Sequence, residues 1–72
     1  MRIILKDSAY EMNRKQFLGV LDIAKKSVKM GIYAVEKDGI AEMKNETFDN
    51  KEDLKKSVAE YEKNGFKVYC NS

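Results

Sequence analysis

The sequence predicts an α+β fold in the order β-α-β-β-α-β, a ferredoxin-like sandwich with two helices on one face of a four-stranded antiparallel sheet. Three observations predict it. The stretch from Gly31 to Lys44 reads as a β-hairpin, because Asp38-Gly39 sits between two alternating runs and both residues tolerate the positive φ of a tight two-residue turn. Two amphipathic stretches, each with its own start and stop signals, flank that hairpin. Short alternating runs near the two ends supply the outer strands, and the preference for right-handed crossovers favours the strand order 4-1-3-2.

Residues 2 to 6 form the expected first strand, with Ile3 and Leu5 on one face and Arg2, Ile4 and Lys6 on the other. The segment Asp7 to Met12 contains a Ser8/Glu11 capping box, but a better one follows and the segment reads as a structured entry loop. Asn13 caps the first helix while Gln16 reaches back, and Met12 packs on Phe17 as a hydrophobic staple. The helix runs from about Arg14 to Met30. Its stripe of Phe17, Leu18, Val20, Leu21, Ala24 and Val28 faces the core, Lys25, Lys26 and Lys29 complement its carbonyl end, and Gly31 ends it as a left-handed residue.

In the hairpin a two-residue turn pairs Lys37 with Ile40, Val35 with Glu42 and Tyr33 with Lys44, and puts these six side chains on one face. Ile32, Ala34, Ala41 and Met43 take the other. The second helix, about Lys51 to Asn64, starts with Asp49 or Asn50 as cap and Glu52 or Asp53 as the returning acid. It ends at Gly65, where Phe66 folds back on Tyr61. Phe66 to Cys70 form the last strand. The expected core is Ile3, Leu5, Phe17, Val20, Leu21, Ala24, Val28, Ile32, Ala34, Met43, Leu54, Val58, Tyr61, Phe66 and Val68. A competing topology exchanges a terminal strand with a partner chain.

Composition bounds what such a chain can do. Its 72 residues read as a single small α+β domain, 1–72, with a thin core; a chain of this size buries roughly 60% of its unfolded surface, which leaves little room for an enclosed substrate cavity. Hydrophobic residues make up 43% and charged residues 36%, the pattern of a soluble globular chain rather than a disordered one. The net charge of +2 balances 14 basic against 12 acidic residues, which argues against a dedicated electrostatic nucleic-acid binder. The one cysteine, Cys70, has no internal disulfide partner, and no apolar run suits a signal peptide or a bilayer span, so a cytoplasmic location with no membrane contact is expected. Lysine far exceeds arginine, which fits an AT-rich bacterial or phage genome.

No residue pattern supports catalysis. Histidine is absent, removing the commonest general base and zinc ligand. Asp7, Glu11, Asp49, Glu52 and Asp53 lie at loop or helix starts where capping explains them, and no spacing pairs two carboxylates for acid-base work. Ser8, Tyr10, Glu11 and Arg14 form at most a small polar cluster at the entry loop. The expectation is a non-enzyme with no cofactor and no metal.

The open sheet face is the expected site. It presents Arg2, Ile4, Lys6, Tyr33, Val35, Lys37, Ile40, Glu42, Lys44, Lys67 and Tyr69, five of them apolar or aromatic. A face this apolar points to a contact, with Ile4, Lys6, Tyr33, Val35, Lys37, Ile40, Lys44, Lys67 and Tyr69 as the partner-binding residues. The bland alternative is good strand formers crossed by lysine stems. A protein partner or a second copy of the chain suits aromatic anchors ringed by lysine, in an inhibitor or adaptor role. Single-stranded nucleic acid, stacked on Tyr33 and Tyr69, is the alternative, but the expected central strands carry Ile4, Ile40 and Glu42 rather than the RNP aromatics.

The segment from Glu46 to Tyr69 is also similar in rhythm to half of a SPOR domain, a peptidoglycan-binding βαββαβ module in which a Phe precedes the helix and Gly-aromatic follows it. Here those positions are Phe48, Gly65 and Phe66, with Leu54 in the helix. The resemblance spans about one third of the chain and implies glycan binding, while packing and capping account for the same four residues.

Overall fold

The computed structural model describes residues 1–71. Seven elements follow one another: β1 (Arg2–Leu5), β2 (Ser8–Glu11), α1 (Arg14–Ser27), β3 (Gly31–Lys37), β4 (Ile40–Thr47), α2 (Lys51–Lys63) and β5 (Lys67–Asn71). The five strands form one mixed sheet in the order β2-β1-β4-β3-β5, with β1 parallel to β4 and every other neighbouring pair antiparallel.

The fold is thus α+β with two helices, but it departs from the expected four-stranded ferredoxin-like arrangement in three respects. The segment read as an entry loop is strand β2, paired with β1 from Arg2↔Glu11 to Leu5↔Ser8 around a two-residue turn at Lys6 and Asp7. The last strand lies beside β3 instead of beside β1. The helices occupy opposite faces. Phe17 and Leu21 of α1 pack with Ile3, Tyr33, Ala34 and Ala41, whereas Leu54 of α2 packs with Ile32 and Val35.

Chain direction explains the helix placement. The β1–β2 hairpin turns the chain around before α1, so α1 leaves a strand running opposite to the one from which α2 leaves. Both connections then move the same way across the sheet, from β2 to β3 and from β4 to β5. Right-handed crossovers from oppositely running strands fall on opposite faces, so the handedness preference leads to a three-layer arrangement.

A bulge in β3 sets which side chain faces which helix. Ile32 pairs with Glu46 and Cys70 while Ala34 pairs with Met43 and Tyr69, so Tyr33 is the extra residue against β5, whereas against β4 the extra residue lies in β4, where Lys44 and Asn45 face Tyr33. Strict alternation would separate Tyr33 from Ala34. Instead both pack in the α1 cluster, and Ile32 and Val35 share the α2 cluster. The predicted pairs Lys37↔Ile40 and Val35↔Glu42 form around Asp38 and Gly39, whose φ values are both positive, but Tyr33↔Lys44 does not.

Local end signals are largely as expected. Asn13 accepts from the Gln16 amide at 2.8 Å and Gln16 returns to the Asn13 amide at 3.0 Å. At α2 the alternatives resolve to Asn50, which accepts from the Asp53 amide at 2.9 Å. Beyond it, Gly65 (φ 88) donates to the Glu62 carbonyl and Phe66 to the Tyr61 carbonyl, the paired bonds of a Schellman ending. The Phe66 ring meets Tyr61 edge-on at 5.7 Å.

The end of α1 differs. The helix stops at Ser27, with Val28 already extended, and the Asn71 side-chain amide donates to the carbonyls of Lys25, at 3.0 Å, and Val28. Gly31 is not a left-handed stop. It opens β3 where the Glu46 carbonyl oxygen passes so close that a Cβ would collide with it. The core differs correspondingly: Leu5 and Val20, expected inside, are exposed, while Tyr33, Val35 and Ala41 are buried.

Two glycine substitutions test this description. Gly19 lies inside α1 with nothing within 4 Å of an added Cβ, so Gly19→Ala is expected to stabilise the fold by about 1 kcal/mol, read as a Tm rise of roughly 4–8 °C. Gly31→Ala is expected to lower stability by about 1–3 kcal/mol, because the obstructing atom is backbone. Thermal unfolding followed by circular dichroism checks both.

Candidate functional site

The expected open face does not exist as one surface. Tyr33, 8% exposed, lies under α1, and Val35, 1% exposed, lies under α2. Tyr69 meets the Phe17 ring edge-on at 5.3 Å, and its neighbours Val68 and Cys70 point to the α2 side. Lys37 donates to the Asn64 carbonyl at 2.9 Å and lies 5.3 Å from the Phe66 ring centroid, closing the C-terminal end of α2. Lys67 covers the Tyr69 ring at 5.4 Å, and Lys44 pairs with Glu42 at 3.1 Å. The bulge and the two-sided burial of β3 scatter the nine predicted contact residues; Ile4 and Ile40 lie on the face of β1 and β4 away from α1, and Lys6 stands in the β1–β2 turn beside Leu5. Tyr33 and Tyr69 do not offer the adjacent open faces that base stacking requires.

Arg14, Glu36 and Tyr69 form a polar cluster at the start of α1. Arg14 Nη1 donates to both Glu36 oxygens at 3.0 Å, Arg14 Nη2 donates to the Tyr69 hydroxyl at 2.9 Å, and that hydroxyl donates to Glu36 Oε1 at 2.7 Å. Burial pulls the Glu36 carboxyl upward, yet the hydrogen bonds from Tyr69 and Arg14 outweigh it and hold the group below the usual carboxylate range. Burial, then the bond to Glu36, raises the Tyr69 phenol and keeps it a donor. The guanidinium, the carboxylate and the phenol bond to one another, so the cluster ties α1 to β3 and β5. The polar grouping expected at the entry loop does not form, since Arg14 turns to Glu36 while Glu11 pairs with Arg2 at 3.5 Å.

The surface with unsatisfied contact capacity lies on the other flank of α1. Both helices sit chiefly over β3 and β5; α1 still reaches Ile3 of β1 and Ala41 of β4, while β2 and the Leu5 end of β1 stay exposed beside it as a wing. Between α1 and that wing runs an open groove of about 340 Å³, floored by Tyr33 and Met43 and walled by Leu5, Ala24 and Val28. Burial raises the Tyr33 phenol as well. Ser27 also lines the groove, and the helical period puts Val20 and Ile23 on the same flank of α1. Tyr10, opposite Ile3 in the hairpin, shares the face of Leu5. Leu5, Tyr10, Val20 and Ile23 are 45%, 49%, 38% and 68% exposed. Lys6, in the left-handed region at φ 56, stands at the groove rim with Lys44.

Sequence reasoning missed this surface because Leu5 and Val20 fit a core stripe equally well. Tyr10 carried the available signal, as an aromatic residue in a segment without a helical stripe. Among the described residues no group of three or more potential metal ligands comes together. Burial raises the Cys70 thiol, which opposes thiolate formation.

The acid response tests the polar cluster. A depressed carboxylate contributes stability that is present above its unfolded value, about 4.3, and is lost as pH falls through the lower folded value. Glu36→Gln is therefore expected to lower Tm at pH 7 and to flatten its decline between pH 6 and pH 3; equal declines in both proteins would contradict the linkage. Comparison of the chain with protein-family models, curated proteins and solved structures finds no match.

Proposed function

We propose that this chain is a small non-catalytic protein-binding module whose contact surface is the flank of α1 beside β1 and β2. The observation that carries the proposal is the run of exposed large side chains, Leu5, Tyr10, Val20 and Ile23, bordering an apolar groove. Single exposed hydrophobics are ordinary, whereas a grouped set around a concavity marks a contact surface. The groove is open and shallow, suited to one or two apolar anchor side chains rather than to an enclosed small molecule. Lys6 at the rim favours a partner segment with an acidic residue beside its anchors, since Lys44 there is already paired with Glu42. Of the residues expected from sequence, Lys6, Tyr33 and Lys44 stay with this surface, Tyr33 as its floor.

Site-specific photo-crosslinking tests the reading. A crosslinker at Ile23 is expected to capture a defined protein in the source cells, and one at Lys55, an exposed position on α2, is not. Val20→Lys with Ile23→Lys should weaken binding of the captured protein at least tenfold with Tm unchanged or raised. Capture of nucleic acid at Ile23, or the same yield at both positions, would sink the proposal.

A further inference from the structure

The free edge of β2 carries a more specific reading of the same wing, one that rests on its being a protein contact. Met1 and Met12 exchange both backbone hydrogen bonds, at 2.9 and 3.1 Å. Antiparallel pairing alternates, so Ile3/Tyr10 and Leu5/Ser8 are the other bonded pairs across the register. The N–H and C=O groups of Ala9 and Glu11 therefore point away from β1, toward solvent. All four residues of β2 are exposed, and the strand carries neither a lysine, a proline nor a bulge; its guards against pairing are its four-residue length and the charge of Glu11.

We propose that β2 pairs with β2 of a second copy of the chain, antiparallel about a two-fold axis, to give a continuous ten-stranded sheet. Charge and register select one alignment. Setting Ala9 against Ala9 of the second copy would put Glu11 opposite Asp7, acid against acid, at both ends. Setting Glu11 against Glu11 would repeat the repulsion at the axis. Setting Ala9 against Glu11 satisfies all four outward groups on each strand with four inter-chain hydrogen bonds and leaves no like charges opposed. That alignment places Tyr10 against Tyr10 on the axis as a non-hydrogen-bonded pair, where Cα atoms approach to about 4.5 Å. The tyrosines meet on the α1 side, so the Leu5, Tyr10, Val20 and Ile23 surfaces of the two copies become continuous. The contact is isologous and closed, which makes a dimer and not a fibre.

Sedimentation equilibrium from 1 to 100 µM tests it, with a mass twice the 8.3 kDa of the chain expected. Ala9→Pro removes an outward N–H at an edge position that tolerates proline, and is expected to weaken dimerisation at least 100-fold with the circular dichroism spectrum retained. In a Cys70→Ser background, Tyr10→Cys should form an inter-chain disulfide on mild oxidation, and Ala9→Cys or Glu11→Cys should not, since each faces the other position. A monomer at 100 µM, a dimer insensitive to Ala9→Pro, or crosslinking at position 9 or 11 in preference to 10 would overturn the pairing. A monomer that still captures a different protein at Ile23 would overturn the pairing alone. A dimer lost in Ala9→Pro, with nothing else captured at Ile23, would uphold the pairing and remove the separate partner.

Discussion

The direction of the chain as it enters α1 is the constraint on which the rest of the structure depends. Four residues of β2, paired back on β1, send the first crossover off from a strand that runs opposite to the origin of the second. Handedness then places the helices on opposite faces. With the helices on opposite faces and both over β3, that strand is covered on both sides. β3 must be apolar on both sides, and the run Gly31 to Val35 is buried without interruption. The bulge at Tyr33 fits that demand by giving α1 two adjacent residues, Tyr33 and Ala34, and α2 the flanking pair Ile32 and Val35.

What was legible in the sequence is what short-range chemistry specifies. Asn13 with Gln16, Asn50 with Asp53, Gly65 with Phe66, and Asp38 with Gly39 are each settled within a few residues. Partners at that distance are present whatever the rest of the chain does. The β2 strand was not legible in this way. Its Ser, Ala, Tyr and Glu are all exposed, so burial imprints no alternation on it, and Lys6-Asp7 is not a favoured hairpin pair. The bulge likewise depends on registers with two other strands.

The site failed for a related reason. Assigning Tyr33, Val35 and Lys37 to one face assumes strict alternation and one covered side, and both assumptions lapse together in β3. A clue was present: GIYAV is a continuous uncharged run, which suits a strand buried on both faces better than one with a solvated side. Read in that way, the lysines fall into place individually. Lys37 serves the C-terminal end of α2, and Lys67 lies over the ring of Tyr69.

The uncovered wing follows from dimensions. A helix with its side chains is about 10–12 Å across and strands lie about 4.8 Å apart, so one helix covers roughly two strands. With one helix on each face, both chiefly over β3 and β5, β1 and β4 are covered only where α1 reaches Ile3 and Ala41, and β2 is not covered at all. A chain adapted to leave them in water would carry polar residues there. Leu5, Tyr10 and Ile40 are instead large, apolar and more than 40% exposed. Moving either helix toward β1 would uncover Ile32, Val35 or Tyr33, which costs more than leaving the rim exposed, since these form the centre of the two cores. The helices are therefore held over β3 and β5 by the better burial, and the side chains on the β2 side are left without cover from the chain itself.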